Sequence, residues 1–584
     1  MNKMANLRPR NKTYLTLGEM DRLRPNSANS TPLSPLGFLE RAAIVAGERP
    51  SVVYDGKHHT WGETHVRCLR LASALSCHIR IYRGDVVSVL APNTPAMYEM
   101  HFSVPMSGAV LNTINIRLDA RTISVLLRHS SSRLLFVDVQ YLPLARSALA
   151  LLSPDHHHPL LIPIEDASAP SDGNGDGDGG LTYETLIGLG DSKFTWVRPD
   201  TEWAPMVLNY TSGTTSAPKG VVHSHRGVFL SALNCLVAWP LPLYPVYLWT
   251  LSMFHANGWC FPWAIAANLG TNVCLRHFDG PTLFSAIADH RVTHLCAAPV
   301  VLTMLADTPP AGRRPLPNPV NILTAGSPPP VVVISRVESI GFFVSHGYGL
   351  TETGSFAVSC SWNADWQRLP AAERAALKVR QGVRTAVMDA ADVVDEKTGE
   401  AVPRNGKTRG EVVMRGGFLM MGYLRDEEAT ARAVRGGWFY TGDVAVVHPD
   451  GYIEIKDRAK DVIISGGENI SSVEVETVLY GHPAVAEAAV VAKPDDYWGE
   501  TPCAFVVKKD GVGGMPTTEE ELISWCREKM PHYMAPKTVV FLPEMPRTST
   551  GKIQKYVLRS MARNLGASAA GQDRRGGISP VSKL

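Results

Sequence analysis

The sequence has no pair of cysteines in a C-x-x-C spacing; its nine, Cys68, Cys77, Cys235, Cys260, Cys274, Cys296, Cys360, Cys503 and Cys526, are scattered along the chain. That distribution excludes a zinc ribbon and a disulfide framework as organising devices and suits a reducing compartment. Charge is sparse too. Charged residues make up 19% of the chain, the net charge is +2, and no basic block marks a nucleic-acid footprint, so no nucleic-acid partner is expected. Nothing apolar follows the charges of the opening MNKMANLRPRNK, which argues against a secretory signal. From Gly227 to Leu275 there is no Asp, Glu, Lys or Arg at all. A membrane span needs about 20 predominantly apolar residues. Pro240, Pro242, Pro245 and Pro262, with Asn234, His255, Asn257 and Asn268, interrupt this stretch too often, and buried helix and strand are expected in place of a membrane span.

What is present is size and alternation. At 584 residues the chain exceeds what one hydrophobic core supports, so at least two domains are expected. Beyond a polar N-terminal extension, residues 1–34, helical patterns such as Thr64 to Ile79 alternate with β-rich runs such as Asp85 to Leu90 and Leu134 to Val137. This predicts parallel sheets covered by helices. Trp438 to Ile455 reads as a hairpin turning at Pro449-Asp450-Gly451, with strands Val444 to Val447 and Tyr452 to Ile455. The charged run Lys456 to Asp461, which no core would bury, marks a domain boundary. Ser471 and Glu474 then form a capping box for a short helix with Val475, Val478 and Leu479 on one face, closed by Gly481 and Pro483 and followed by a strand from Ala488 to Ala492. The run Asp172 to Gly180 opens like an EF-hand loop, but its twelfth position is Tyr183, so a surface insertion is expected.

The most informative segment is Tyr210-Thr-Ser-Gly-Thr-Thr-Ser-Ala-Pro-Lys-Gly220, behind the strand-like run Met206 to Leu208. Hydroxyls, amides freed by Gly213 and a cation at the far end, Lys219, are what a polyphosphate needs. The lysine precedes the second glycine, so this is not a Walker A loop. In His346-Gly-Tyr-Gly-Leu-Thr-Glu-Thr-Gly354, Glu352 stands where a dinucleotide fingerprint requires its third glycine. A carboxylate between two threonines suits Mg²⁺ held through one or two protein oxygens plus substrate phosphates. Asp443, in Tyr440-Thr-Gly-Asp443, is placed to accept from two ribose hydroxyls, the ordinary alternative being an exposed turn. In Pro546-Arg-Thr-Ser-Thr-Gly-Lys552 a lysine follows a flexible Thr-Gly; singly, such a lysine is solvated surface.

In this order and spacing the segments resemble the adenylate-forming superfamily, which includes acyl-CoA synthetases, 4-coumarate-CoA ligases, firefly luciferases and peptide-synthetase adenylation domains; the resemblance covers residues 35–565. It implies an α/β fold: a large N-terminal domain, residues 35–459, of two doubly wound α/β subdomains plus a small β-barrel, then a smaller mobile C-terminal α/β domain, residues 460–565, and a tail, residues 566–584. It implies that ATP, Mg²⁺ and coenzyme A are used on a small-molecule carboxylic acid. Thr211, Ser212, Gly213, Thr214, Thr215 and Lys219 are assigned to the phosphates, Thr351 to the α-phosphate and Glu352 to the metal. Asp443 takes the ribose, Ala325, Gly326 and Ser327 with His346, Gly347 and Tyr348 take the adenine, and Arg458 touches the nucleotide. Lys460 falls at the hinge, Lys552 bridges carboxylate and α-phosphate, and Ser465, Gly466 and Gly467 meet CoA. The acid pocket is implied along His255, Asn257, Gly258 and Trp259, with Gly349 nearby and His255 as its gate.

Departures narrow the resemblance. Ser216 stands where many relatives place glycine, and Val462 to Ile470 is unlike the Lys-Gly-Phe-Gln run of typical 4-coumarate-CoA ligases. That stretch is more similar to plant acyl-activating enzymes of the benzoate and cinnamate ligase branch. Ser582-Lys583-Leu584 matches the address read by the peroxisomal import receptor. The expectation is a peroxisomal CoA ligase for an aromatic acid such as trans-cinnamate or benzoate. The rivals are a medium-chain fatty acyl-CoA synthetase and, more distantly, a luciferase-type oxidoreductase, which would emit light; residues 566–584 are too few for the carrier domain of a peptide-synthetase module.

Overall fold

The β-rich runs are apolar without alternation, as strands covered by helices on both faces must be. In the computed structural model, which describes residues 22–166, 180–211, 218–327, 329–466, 468–509, 517–548 and 551–572, they form the middles of two sheets. The first has seven strands in the order Gly422–Tyr423, Gly220–Ser224, Pro205–Tyr210, Val110–Thr113, Val86–Leu90, Leu134–Asp138, Leu160–Ile164. The last five of these are parallel, and the first two are antiparallel additions. The second has nine, in the order Val383–Arg384, Val358–Ser359, Phe342–Tyr348, Val320–Thr324, His294–Ala297, Val246–Trp249, Thr271–Cys274, Pro50–Tyr54, Lys57–Thr60, with antiparallel strands only at its ends.

The charge-free stretch supplies all but the first two residues of the helix His225–Ala238, the helix Phe261–Ala267 and the strands Val246–Trp249 and Thr271–Cys274. Trp249, Phe261 and Trp263 are fully buried there, in a core that also contains Trp61 and Phe102. No helix among the described residues is long and apolar enough to cross a membrane.

The part expected as a small β-barrel is built from five antiparallel strands, Ala390–Val394, Gly410–Arg415, Trp438–Val447, Val434–Arg435 and Ile453–Arg458, around Val412, Met414, Phe439 and Ala445. A fourth sheet joins Glu468–Ile470, Ile463–Ser465, Gly499–Lys508, Val485–Asp495 and Thr538–Phe541. Apolar cores lie at the helix pair Ser472–Tyr480 and Glu519–Lys529 and at the helix Lys555–Gln572.

Several local expectations shift. The helix expected over Thr64 to Ile79 starts at Trp61, because the Thr60 hydroxyl accepts from the Glu63 amide while the Glu63 carboxylate accepts from the Thr60 amide; it passes into a π-helical turn at Ala74–His78. Ser471 caps its helix as expected, accepting from the Glu474 amide at 3.3 Å, but the Glu474 carboxylate turns to Arg409 and Lys456. The hairpin's second strand runs on through Arg458 into the charged segment, and Asp457 is only 5% exposed, contrary to a wholly solvated run. The EF-hand-like run lies outside the described residues except for Gly180.

Candidate active site

The site residues cluster where strands end. Ala325, Gly326 and Ser327 follow the strand Val320–Thr324, and His346 to Tyr348 finish its parallel neighbour, with Thr324 opposite His346. Thr211 follows Pro205–Tyr210, and His255 lies six residues beyond Val246–Trp249. Open α/β sheets bind ligands at the carboxyl ends of parallel strands, because helix N-termini and loops converge there. Gly326 has φ +90° and open space where a Cβ would stand, leaving room for a flat base.

Asp443 is 3% exposed. The Tyr348 hydroxyl donates to its Oδ2 at 2.5 Å, and Arg458 Nε lies 3.3 Å from its Oδ1, across the strand pair that puts the two residues opposite each other. Burial and then the carboxylate push the Tyr348 phenol far up, so it remains a donor. Burial alone would lower the Arg458 guanidinium, but Asp443 holds it above its ordinary value.

Lys552 comes from the C-terminal part into this cluster. The Thr548 Oγ1 accepts from its amide at 3.0 Å, and Arg547 pairs with Glu487 at 2.7 Å. Burial and then Arg458 pull the Lys552 ammonium down to about 8, against the attraction of Asp443 and Asp461. Its charge reaches His255, whose imidazole is lowered to about 4 by burial first and Lys552 second, so His255 is neutral near pH 7. The expected hinge residue, Lys460, is exposed beside the same charges, its ammonium lowered by desolvation and then by Arg458.

At the phosphate end the Thr211 amide donates to the Lys219 carbonyl at 3.0 Å, and the Lys219 amide to Thr211 Oγ1 at 3.4 Å. Ser212, Gly213, Thr214, Thr215 and Ser216 lie outside the described residues, as do Gly467 and the tripeptide Ser582, Lys583, Leu584. Glu352 sits in the short turn Thr351–Thr353 and accepts from the Tyr423 hydroxyl at 2.8 Å. The Thr351 carbonyl accepts from His223 Nε2 at 2.8 Å, and burial, lowering His223 to about 4, keeps that ring a neutral donor. No group of three His, Cys, Asp or Glu among the described residues is placed to hold a metal. The donor chemistry at Glu352, a hard carboxylate oxygen beside Thr351, suits Mg²⁺ shared with phosphate oxygens.

The acid-pocket residues divide. His255 stays at the junction with Lys552. Asn257 does not offer its amide to a ligand: its Oδ1 accepts from Asn209 Nδ2, its backbone amide donates to Asn209 Oδ1 at 3.2 Å, and its Nδ2 donates to Thr113 Oγ1 at 3.3 Å. The reason is a left-handed turn. Ala256, Asn257, Gly258, Trp259 and Cys260 all have positive φ, a conformation L-residues adopt only when surroundings enforce it. A Cβ at Gly258 would meet the Trp249 ring at 2.8 Å, and one at Gly349 the Ser355 carbonyl at 2.4 Å, so both glycines serve close packing. Trp259 is partly exposed. Ser465 ends a strand of the fourth sheet, and Gly466 follows it against the Trp498 ring.

Sequence reasoning missed Tyr423, His223, Asn209 and Thr113. Tyr423 lies on the two-residue strand that pairs with Gly220–Ser224, a long-range contact with no local signal.

Residues 39–424 match the family described as AMP-binding enzyme, and residues 474–552 match AMP-binding enzyme C-terminal domain. The chain belongs to the AMP-binding enzyme family. A relative in Arabidopsis thaliana, probable acyl-activating enzyme 5, peroxisomal, is 59% identical over 556 residues, covering 94% of this chain and 99% of its own. The 2-methylpropanoate–CoA ligase CCL4 of Humulus lupulus is 58% identical over 557 residues, covering 95% and 100%. In fold, this AMP-binding enzyme is similar to the anthranilate CoA ligase AuaEII in complex with anthranoyl-AMP, with TM-score 0.80 and 24% identity over 93% of this chain and 100% of the other. The chain is thus an acyl-CoA ligase of the plant acyl-activating branch, and ATP, Mg²⁺ and CoA are the reactants and metal of its family.

Proposed function

We propose that this enzyme joins a compact apolar carboxylic acid to coenzyme A through an acyl-adenylate, with Lys552 as the residue that drives the first half-reaction. The observation that carries this reading is the ion pair of Arg458 with Asp443, together with the electrostatic interaction of Lys552 with both of them and with His255. Asp443 takes the ribose hydroxyls, and Tyr348, donating to Asp443, fixes its orientation. Gly326 and Tyr348 flank the adenine. Thr211, Lys219 and the loop between them hold the phosphates, and Thr351 steadies the α-phosphate. Mg²⁺ bound at Glu352 would neutralise charge on the phosphate oxygens.

In the first step a carboxylate oxygen attacks the α-phosphorus and the bond to pyrophosphate breaks. Negative charge grows on non-bridging oxygens, so positioning and a nearby ammonium do most of the catalysis. Lys552, reaching both the carboxylate and the α-phosphate, supplies that charge. Turning the C-terminal part at Lys460 then withdraws Lys552 and opens a path for CoA, with Ser465 and Gly466 facing the incoming thiol. The thiolate sulfur attacks the acyl carbon and AMP leaves.

For the acid, an aromatic body such as cinnamate or benzoate suits a pocket edged by Trp259 and His255. A specific observation favours a second reading, a short branched alkanoate: the hop relative, 58% identical over its whole length, is a 2-methylpropanoate–CoA ligase. The test is kcat/KM for CoA-thioester formation across 2-methylpropanoate, benzoate, cinnamate and octanoate. A lead of tenfold or more by benzoate or cinnamate supports the first reading, by 2-methylpropanoate the second, and by octanoate neither. Peroxisomal import is proposed from the terminal Ser-Lys-Leu and the name of the Arabidopsis relative. A fluorescent fusion at the N-terminus should enter peroxisomes, and one lacking the last three residues should not.

A further inference from the structure

One buried carboxylate takes no part in the chemistry above. Asp457, next to the end of the strand Ile453–Arg458, is 5% exposed although it lies in the charged run between the third and fourth sheets. Its Oδ2 accepts from the backbone amide of Ser472 at 2.7 Å and from the Ser472 hydroxyl at 2.6 Å; its Oδ1 accepts from the Arg458 amide at 2.8 Å. Ser472 is the first residue of the helix Ser472–Tyr480, where amides lack partners within the helix and the dipole favours an anion. Lys555, partly exposed and donating to the Ser472 hydroxyl oxygen, adds positive charge near Asp457.

Every one of these bonds to Ser472 joins the two parts of the chain. Other junction contacts among the described residues include Arg409 Nη1 donating to the Asn469 carbonyl at 3.1 Å. Arg409 and Lys456 reach Glu474 at 3.6 and 3.4 Å from partly exposed positions, and the Ser471 hydroxyl donates to the Lys456 carbonyl at 2.7 Å. Partly exposed ion pairs contribute little, whereas hydrogen bonds to a buried charge are the strong ones. Lys555 keeps its pair with Glu476, at 2.7 Å, and Arg559 its pair with Asp461 when Asp457 is removed, so the C-terminal part retains its own ion pairs.

We propose that Asp457 is a positioning residue: by capping the helix at Ser472 it docks the C-terminal part in the orientation that brings Lys552 to Asp443 and Arg458, and so favours adenylation over thioester formation. This rests on the adenylation role proposed for Lys552. The adjacent Arg458 touches the nucleotide cluster directly; Asp457 acts only through the docked arrangement, which must release before CoA can react.

The test measures the half-reactions separately: ATP–pyrophosphate exchange with the acid, and thioester formation from supplied acyl-adenylate and CoA. Asp457→Ala should lower exchange at least tenfold, and Ser472→Ala, removing one donor from the other side, several-fold. Thioester formation should be unchanged or faster in both. An equal fall in the two half-reactions, or unchanged exchange, overturns the proposal. If Asp457→Ala does not fold, as read by circular dichroism, Ser472→Ala decides on the same two readouts. Wild-type protein without any exchange would remove the adenylation reading itself, and docking with it.

Discussion

Lys219 Nζ lies 4.6 Å from the centre of the Tyr423 ring, and the hydroxyl of that ring is bound to Glu352. One side chain thus separates the phosphate lysine from the proposed metal carboxylate while touching both. Burial, and next the Glu352 charge, raise the Tyr423 phenol, so it is a donor at any working pH. Tyr423→Phe keeps the ring under Lys219 and removes the bond that orients Glu352. A net hydrogen bond of this kind is worth a factor of about 2 to 10. We expect KM for MgATP to rise by that factor with the acid's KM unchanged, measured by AMP release; an unchanged KM for MgATP would show that Glu352 needs no such support.

Lys552→Ala should cost about 10²- to 10³-fold in adenylation, the scale of losing one electrostatic stabiliser of a transition state. Thioester formation from supplied acyl-adenylate should be spared. Equal losses in the two steps would refute the division of labour between them.

The same lysine sets a pH limb. Its ammonium is needed, and burial has moved it from 10.5 down to about 8 in the unliganded enzyme, so kcat/KM for ATP in adenylation should fall as pH rises through about 8. Bound phosphates favour the charged form, so the limb in kcat should lie higher. The stability sign is opposite in sense: a depressed lysine value penalises the charged form on folding, and its contribution to stability rises between pH 8 and 10.5. His255, neutral above about 4, should add no limb between pH 5 and 8.

The left-handed turn predicts a stability effect tied to the acid site. Gly258→Ala places a Cβ at φ +54° against the Trp249 ring, and strain with overpacking should cost about 2–4 kcal/mol in urea denaturation. Asn257→Ala, which removes the side-chain bonds to Asn209 and Thr113 and leaves only the backbone amide bonded to Asn209 Oδ1, should raise KM for the acid several-fold although the Asn257 amide faces the protein.

Much of this was legible from local pattern. The parallel strands were visible because strands buried on both faces are continuously apolar, whereas Tyr348, Glu352, Asp443 and Lys552 became candidates only together, through an order and spacing that resembles the adenylate-forming superfamily. The left-handed turn was not, since Ala256 and Trp259 carry no sign of positive φ; tertiary hydrogen bonds from two other strands impose it. Tyr423 became visible only when a two-residue strand paired across the fold. Asp457 was hidden by its neighbours, because a charged run reads as solvated until a helix N-terminus closes over one member.

The central claim is that the acid's own oxygen attacks the α-phosphorus of ATP, and labelled carboxylate tests it most directly. With the acid carrying ¹⁸O in its carboxyl group, turnover with ATP, Mg²⁺ and CoA should place one labelled oxygen in AMP and none in pyrophosphate, read by mass spectrometry. Label in inorganic phosphate alongside ADP, or unlabelled AMP, would contradict the account.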